Sequence, residues 1–247
     1  MTISGQSTCR LCLKPARLMN SHIFPEFVFR PLYDAKHRFR SASLDEAEWE
    51  WKQKGYREPM LCADCEEQFS RYEKYACETF FRKPLPSPIS RGRSKVFELD
   101  QLDYKRMKLF LLSLLWRAGV TNHDYCKHVE LGKHAEHLRQ MLLAESPGRA
   151  EDYACFVSTV KLDGEVFNFF IEPTPCRVSG HKTYRFVFSG FMFFFFVSSH
   201  QLPPPFRSCA LQADGNFRVL DSELADHPFL RDVFNRAKDA FGSKEWN

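Results

Sequence analysis

Two Cys-x-x-Cys pairs, Cys9-Arg10-Leu11-Cys12 and Cys62-Ala63-Asp64-Cys65, stand far apart in the chain with the same internal spacing. A two-residue spacer lets neighbouring thiolates curl onto one metal ion, and four thiolates set a tetrahedral site. The pattern therefore predicts that Cys9, Cys12, Cys62 and Cys65 hold one structural Zn2+ and pin two distant segments together. The alternatives are four reduced core cysteines or a redox pair, but a thioredoxin-like Cys-x-x-Cys occurs singly within a βαβ pattern, which is absent here. Metal binding in such a module is folding energy, so loss of zinc is expected to unfold it.

The 247 residues, 44% hydrophobic and 27% charged, are enough for a sizeable core, expected as one main core plus a small metal-stabilised N-terminal module. A net charge of +4 permits contact with nucleic acid without demonstrating it. Nine cysteines, four of them in metal spacing, and no secretory segment at the start lead to the expectation of a reducing, cytoplasmic setting. The most apolar stretch, Phe186 to Val197, falls short of the roughly 20 residues a bilayer requires. It reads as a strand buried on both faces, and no membrane partner is expected.

Along the chain, residues 1–83 read as the zinc module, with a loop and short helix near Leu44 to Lys52. After the second cysteine pair, Phe69, Tyr72, Ala76 and Phe80 recur at helical spacing. Pro84, Pro86 and Pro88 open an expected linker over 84–100. The remainder, 101–247, reads as an α+β domain, and the whole chain as α+β. Helices are expected over 104–118, capped by Asp103 and apolar on nearly every face, and over 129–143. An antiparallel sheet is expected over 153–220, with turns at Asp163-Gly164 and Asp214-Gly215, the second closing a short late hairpin. A terminal amphipathic helix is expected over 228–241. Lys105, Arg106 and Lys108 crowd the first turns of the 104–118 helix, the wrong end for its dipole; they suggest an acidic partner or are simply solvated.

Cys-x-x-Cys, then Ser21-His22-Ile23-Phe24-Pro25, a Gly55 before the second pair, and Leu61-Cys62-x-x-Cys65 opening a helix together resemble the zinc-containing branch of the HNH endonuclease superfamily. That resemblance covers roughly the first 80 residues and implies a ββα-metal fold related to treble-clef zinc fingers. It further implies a metal-dependent nuclease hydrolysing phosphodiesters, in a setting of phage defence or a mobile element. The family element reads Asp-His-x-x-Pro, so the resemblance makes His22 the general base and puts Ser21 where the acidic metal ligand belongs. The chain departs from the family at two further positions: Arg57-Glu58-Pro59 stands where an Asn is usual, and Glu66 where a His follows the last cysteine.

Carboxylates suit hard cations, so Glu66, and Glu73 two helical turns on, are candidate ligands with His22 for a catalytic Mg2+ or Mn2+. Arg71 and Lys74 on the same helix are candidate phosphate contacts. Each has a structural alternative: His22 fixing the turn beside Pro25, Glu66 complementing the helix dipole, Glu73, Arg71 and Lys74 forming a solvated face. The rival to a nuclease is the same zinc scaffold, catalytically degenerate, binding DNA, RNA or a protein. His123, His128, His134 and His137 read as surface histidines, and Cys77, Cys126, Cys155, Cys176 and Cys209 as core or free thiols.

Overall fold

The structure, a computed structural model, describes residues 7–42, 49–198 and 200–241. Its N-terminal part comprises β1 (Ser7–Thr8), β2 (Pro15–Ala16), β3 (Met19–His22), β4 (Phe39–Ala42), β5 (Trp49–Lys52), β6 (Arg57–Leu61) and helix α1 (Ala63–Ala76). Strands β7 (Ile89–Arg91) and β8 (Ser94–Leu99) lead into helices α2 (Tyr104–Val120) and α3 (Lys133–Leu143). There follow β9 (Cys155–Thr159), β10 (Lys161–Leu162), β11 (Glu165–Val166), β12 (Phe170–Val178), β13 (His181–Phe188), β14 (Phe191–Phe196), α4 (Pro204–Cys209), β15 (Phe217–Asp221) and α5 (Pro228–Phe241). The fold is mixed α+β with an antiparallel-rich C-terminal sheet. Among the described residues no helix is long and apolar enough to cross a membrane.

Helix α2 runs through the centre. Asp103 caps it, its Oδ1 accepting the Arg106 N–H at 3.0 Å, and every residue from Met107 to Ala118 is buried, as an apolar surface on all sides requires. Helices α1 and α3 pack on it. Lys108 is therefore not solvated with its neighbours Lys105 and Arg106: its Nζ donates to the carbonyls of Ala150 and Tyr153, and burial pushes its pKa down to about 8. Helix α1 buries Cys65, Phe69, Tyr72 and Ala76 and then widens into a π turn, Cys77–Phe81, closed by the Arg82 N–H on the Cys77 carbonyl at 2.9 Å.

Nine strands form one sheet in the order β5-β4-β12-β13-β14-β9-β15-β8-β7. Neighbours are antiparallel except β4–β12 and β9–β15. Ser179-Gly180 and Ser189-Gly190 both carry positive φ, which gives two-residue turns whose twist matches β12–β13 and β13–β14. Period-two alternation splits the aromatic run of β14 between two layers. Phe193 and Phe195 enter the main core, while Met192 lies under Leu230 and Val233 of α5, and Phe196 under Ala210 and Phe206 beside α4.

Several expected boundaries dissolve in this sheet. The stretch expected as a linker supplies β7 and β8, and the N-terminal module contributes β4 and β5 at the opposite edge. One core runs from Leu11, Phe24 and Phe69 through α2 to Phe186 and Phe193, so the two expected domains share an interior. Trp49–Lys52 is a strand paired with β4, not helix, because cross-strand pairing overrides weak local preference; residues 44–48 lie outside those described. The 129–143 helix starts only at Lys133, after Gly132 at φ 55°. The Asp214-Gly215 turn closes on Gln212, but β15 makes no hairpin across it and pairs with β8 and β9 instead.

Candidate metal centre and adjoining cleft

The β1–β2 ladder folds back on itself around Cys9 and Cys12, with the Leu13 N–H on the Cys9 carbonyl at 2.9 Å and Leu13 at φ 61°. Strand β6 then delivers Cys62 to the position just before α1, and one helical turn places Cys65 beside it. The Arg10 N–H on the Met60 carbonyl, at 3.1 Å, ties the two cysteine pairs together. All four Sγ atoms lie within 4.8 Å of one another, and Cys12 Sγ and Cys62 Sγ are 3.8 Å apart. A tetrahedron with metal–sulfur bonds of about 2.3 Å has edges of about 3.8 Å, so the cluster has the dimensions of a four-thiolate site.

Backbone N–H groups also aim at the sulfurs, as on Cys9 Sγ, which accepts from the Cys62 N–H at 3.3 Å. Burial pushes the Cys9 thiol up, but hydrogen bonds from the Cys12, Cys62 and Leu11 backbones outweigh it and bring the thiol down to about 7. Four cysteines thus lie close together and can bind a metal ion such as zinc. Among the described residues they are the only group of three or more His, Cys, Asp or Glu side chains whose ligand atoms converge.

His22, Glu66 and Glu73 are not brought together as such a group. Glu66 Oε2 accepts from Ser21 Oγ at 2.7 Å, and Ser21, fully buried, also accepts the Leu61 N–H at 3.2 Å. Helix α1 is thereby stapled to the β3–β6 strand pair by Ser21 and Glu66. Glu73 Oε1 pairs with Arg117 Nη1 at 2.7 Å, and the same nitrogen donates to the His22 carbonyl at 2.8 Å. Arg117 is 1% exposed and lies over the Phe69 ring. The sequence signal for Arg117 was available: a guanidinium at the end of an all-round apolar segment must find a carboxylate inside the protein.

His22 and Glu73 do line one cleft of about 270 Å³, with Glu26, Arg30, Lys74 and Arg82 among its other walls; Glu66 is not part of it. His22 Nε2 lies 3.3 Å from Glu26 Oε2, which Arg57 also reaches at 3.2 Å, and Tyr33 donates to Glu26 Oε1 at 2.7 Å. Burial, reinforced by the Arg57 charge, lowers the His22 pKa against the opposing pull of Glu73 and Glu26. Burial pushes Glu26 up, but its hydrogen bonds from Tyr33, Arg57 and His22 prevail and hold it below the ordinary carboxylate range. The cleft accordingly presents a neutral imidazole beside an ionised carboxylate. As a ligand set for Mg2+ or Mn2+, the candidates do not fit: Glu66 is turned to Ser21 and Glu73 to Arg117.

Arg71 and Lys74 sit in a second, polar groove of about 620 Å³ that also takes in Tyr75, Lys105 and Arg106. Arg71 pairs with Glu145 at 3.1 Å and Arg106 with Asp103 at 3.3 Å, both on the surface. Lys74 and Glu78 line this groove and the His22 cleft alike. No family model matches the chain, and no curated protein or solved structure matches it.

Proposed function

We propose that the chain is a nucleic-acid-binding protein built on a zinc-stapled, treble-clef-like module related to the HNH nucleases, in which a Ser21–Glu66 hydrogen bond closes the family's metal position. The observation that carries this reading is the groove in which Arg71, Lys74, Lys105 and Arg106 face Glu78, Asp103 and Glu145, a small excess of cations, and which shares Lys74 and Glu78 with the His22 cleft. Its surface ion pairs are individually weak, so a phosphodiester backbone can displace Glu145 and Asp103. The crowding of Lys105 and Arg106 at the start of α2 then has a reason: they serve a polyanion rather than the helix.

Fluorescence anisotropy with single- and double-stranded DNA and RNA oligonucleotides over a salt series tests this. Replacing Lys74, Lys105 and Arg106 by Ala is expected to weaken binding regardless of sequence. It is also expected to reduce the log K against log salt slope by roughly 0.7 to 0.9 for each phosphate deprived of its cation. Unchanged affinity and slope would sink the groove.

A second reading, phosphodiester hydrolysis, has one specific support. His22 is held neutral, as a general base must be, in a cleft shared with Glu73. Plasmid nicking by the purified protein and by His22→Ala, with Mg2+ or Mn2+ supplied, decides it. Cleavage that the substitution abolishes would replace the binding-only reading, and no cleavage, or equal cleavage by the variant, ends the hydrolytic one.

A further inference from the structure

Next to the His22 cleft lies a second pocket of about 550 Å³, a volume typical of small-molecule sites. Phe27, Arg30, Cys77 and Arg82 line both spaces. The π turn at the end of α1 presents Phe80 and Phe81 to this pocket, where their rings meet Phe191 of β14 with centroids at 4.9 and 6.0 Å. Such widened turns recur where a helix must aim side chains at a ligand.

The charge of the lining is one-sided. Among the described residues, Arg30, Arg82, Lys83 and Lys161 contribute to it and no Asp or Glu does. Lys161 is neutralised by Asp221, whereas Arg30, Arg82 and Lys83 are exposed and have no ion-pair partner among the described residues. The polar groups inside are mostly committed: Ser189 Oγ donates to the Val28 carbonyl at 2.8 Å, and Thr159 Oγ1 accepts the Ser222 N–H at 3.0 Å. Among the described neutral side chains of the lining, only the Asn168 amide remains. A nucleobase would bury its edge N–H donors with one amide oxygen to answer them, because Arg30, Arg82 and Lys83 can only donate, whereas an apolar body with an anionic head leaves nothing unsatisfied.

We infer that this pocket binds a small anionic amphiphile, a hydrocarbon body carrying one carboxylate or phosphate, with the body against Phe80, Phe81 and Phe191 and the head group between Arg30 and Arg82. The inference stands apart from the nucleic-acid reading and uses none of the groove residues. It has a consequence for the neighbouring site, because a bound head group occupies two cations that also face the His22 cleft.

Isothermal titration of the full, zinc-loaded chain with decanoate, decyl phosphate, decanol and adenosine monophosphate tests it. Saturable one-site binding of decanoate or decyl phosphate is expected, the tighter of the two identifying the head group. Decanol should bind at least about tenfold more weakly. Combining Arg30→Met with Arg82→Met should weaken the anion about tenfold and leave decanol nearly unchanged, since only the charged head loses partners. Asn168→Trp, at an exposed position on the lining, should block anion and alcohol alike. All three side chains are exposed, and circular dichroism with zinc content checks the fold; if the double variant fails that check, Asn168→Trp decides alone. The inference is overturned by any of three results: no saturable binding of either anion, decanol binding as tightly as the anions, or adenosine monophosphate binding more tightly than both.

Discussion

Two sites share helix α1, and they differ in how their reactive groups are satisfied. In the four-cysteine centre the sulfurs converge on a common point, and the side-chain partners they find among the described residues are one another, with a backbone N–H on Cys9. In and beside the His22 cleft every candidate has its own partner: Glu73 has Arg117 and His22 has Glu26 within it, and Glu66, outside it, has Ser21. Soft ligands that lack other partners wait for a metal, while carboxylates paired off singly hold the fold together. Convergence, not residue type, separates a metal centre from a structural network.

The largest effect should come from the converging side. Cys62→Ser is expected to release the metal, as native mass spectrometry would register, and to unfold the N-terminal part. Structural zinc contributes on the order of 10–16 kcal/mol in small modules, comparable with the roughly 5–15 kcal/mol that stabilises a whole domain. The damage should spread, because Arg139 on α3 donates to the Leu11 carbonyl at 2.6 Å and the core is continuous. A melting temperature within a few degrees of the parent protein would mean that the cysteines are ordinary core residues and the contrast is empty.

On the paired side, Arg117→Met should destabilise by about 3 kcal/mol, the lower end for breaking a buried pair because Glu73 keeps some contact with water. Urea unfolding measures this. Adding Glu73→Gln should recover part of the loss, since it removes the carboxylate left without a partner. If Glu73→Gln alone proves harmless and the double variant recovers nothing, Glu73 is not held by Arg117 and becomes available as a ligand again.

The cysteine centre was legible because the repeated spacing marks two matching pairs of ligands, and α1, α2 and α5 were legible because their apolar stripes, and the Asp103 cap of α2, are local. What stayed hidden depends on contacts between residues distant in the chain. The prolines before Ile89 hide a local β7–β8 hairpin that turns at Gly92-Arg93, and only the distant β15, by pairing with β8, makes it the edge of the large sheet. Likewise, Ser21 and Glu66 look independent in sequence, yet they form one hydrogen bond between β3 and α1. Lys108 looked like its exposed neighbours because helical phase near a first turn does not show which residue the rest of the fold will cover.

That Ser21–Glu66 bond is the next way to sharpen the contrast. Ser21→Ala strands the buried Leu61 N–H and leaves Glu66 short of its donor, for an expected loss of about 1–3 kcal/mol in urea unfolding. Glu66→Gln keeps an acceptor facing Ser21 and should cost less. If Glu66→Gln instead lowers metal content as much as Cys62→Ser does, Glu66 belongs to the metal centre and the division between the two sites is wrongly placed.

The smallest effect, the pH response of His22, distinguishes the two readings of the cleft by its sign. Burial and Arg57 put the folded-state pKa below the ordinary 6.5, while Glu73 and Glu26 pull the other way. With the folded value depressed, the unfolded chain binds more protons across the interval between the two values. Stability is then fully present above 6.5 and is lost as the pH falls through the folded pKa. His22→Gln should flatten this acid limb of the stability curve, and titration of the His22 ring by NMR should give a midpoint below that of a free histidine. Were the carboxylates dominant, the slope would reverse: acidification toward 6.5 would stabilise the protein, and His22 would be a cation paired with Glu26. A cationic His22 could still anchor a phosphate but could not accept a proton from water, so that sign would remove the support for hydrolysis while leaving the nucleic-acid groove untouched.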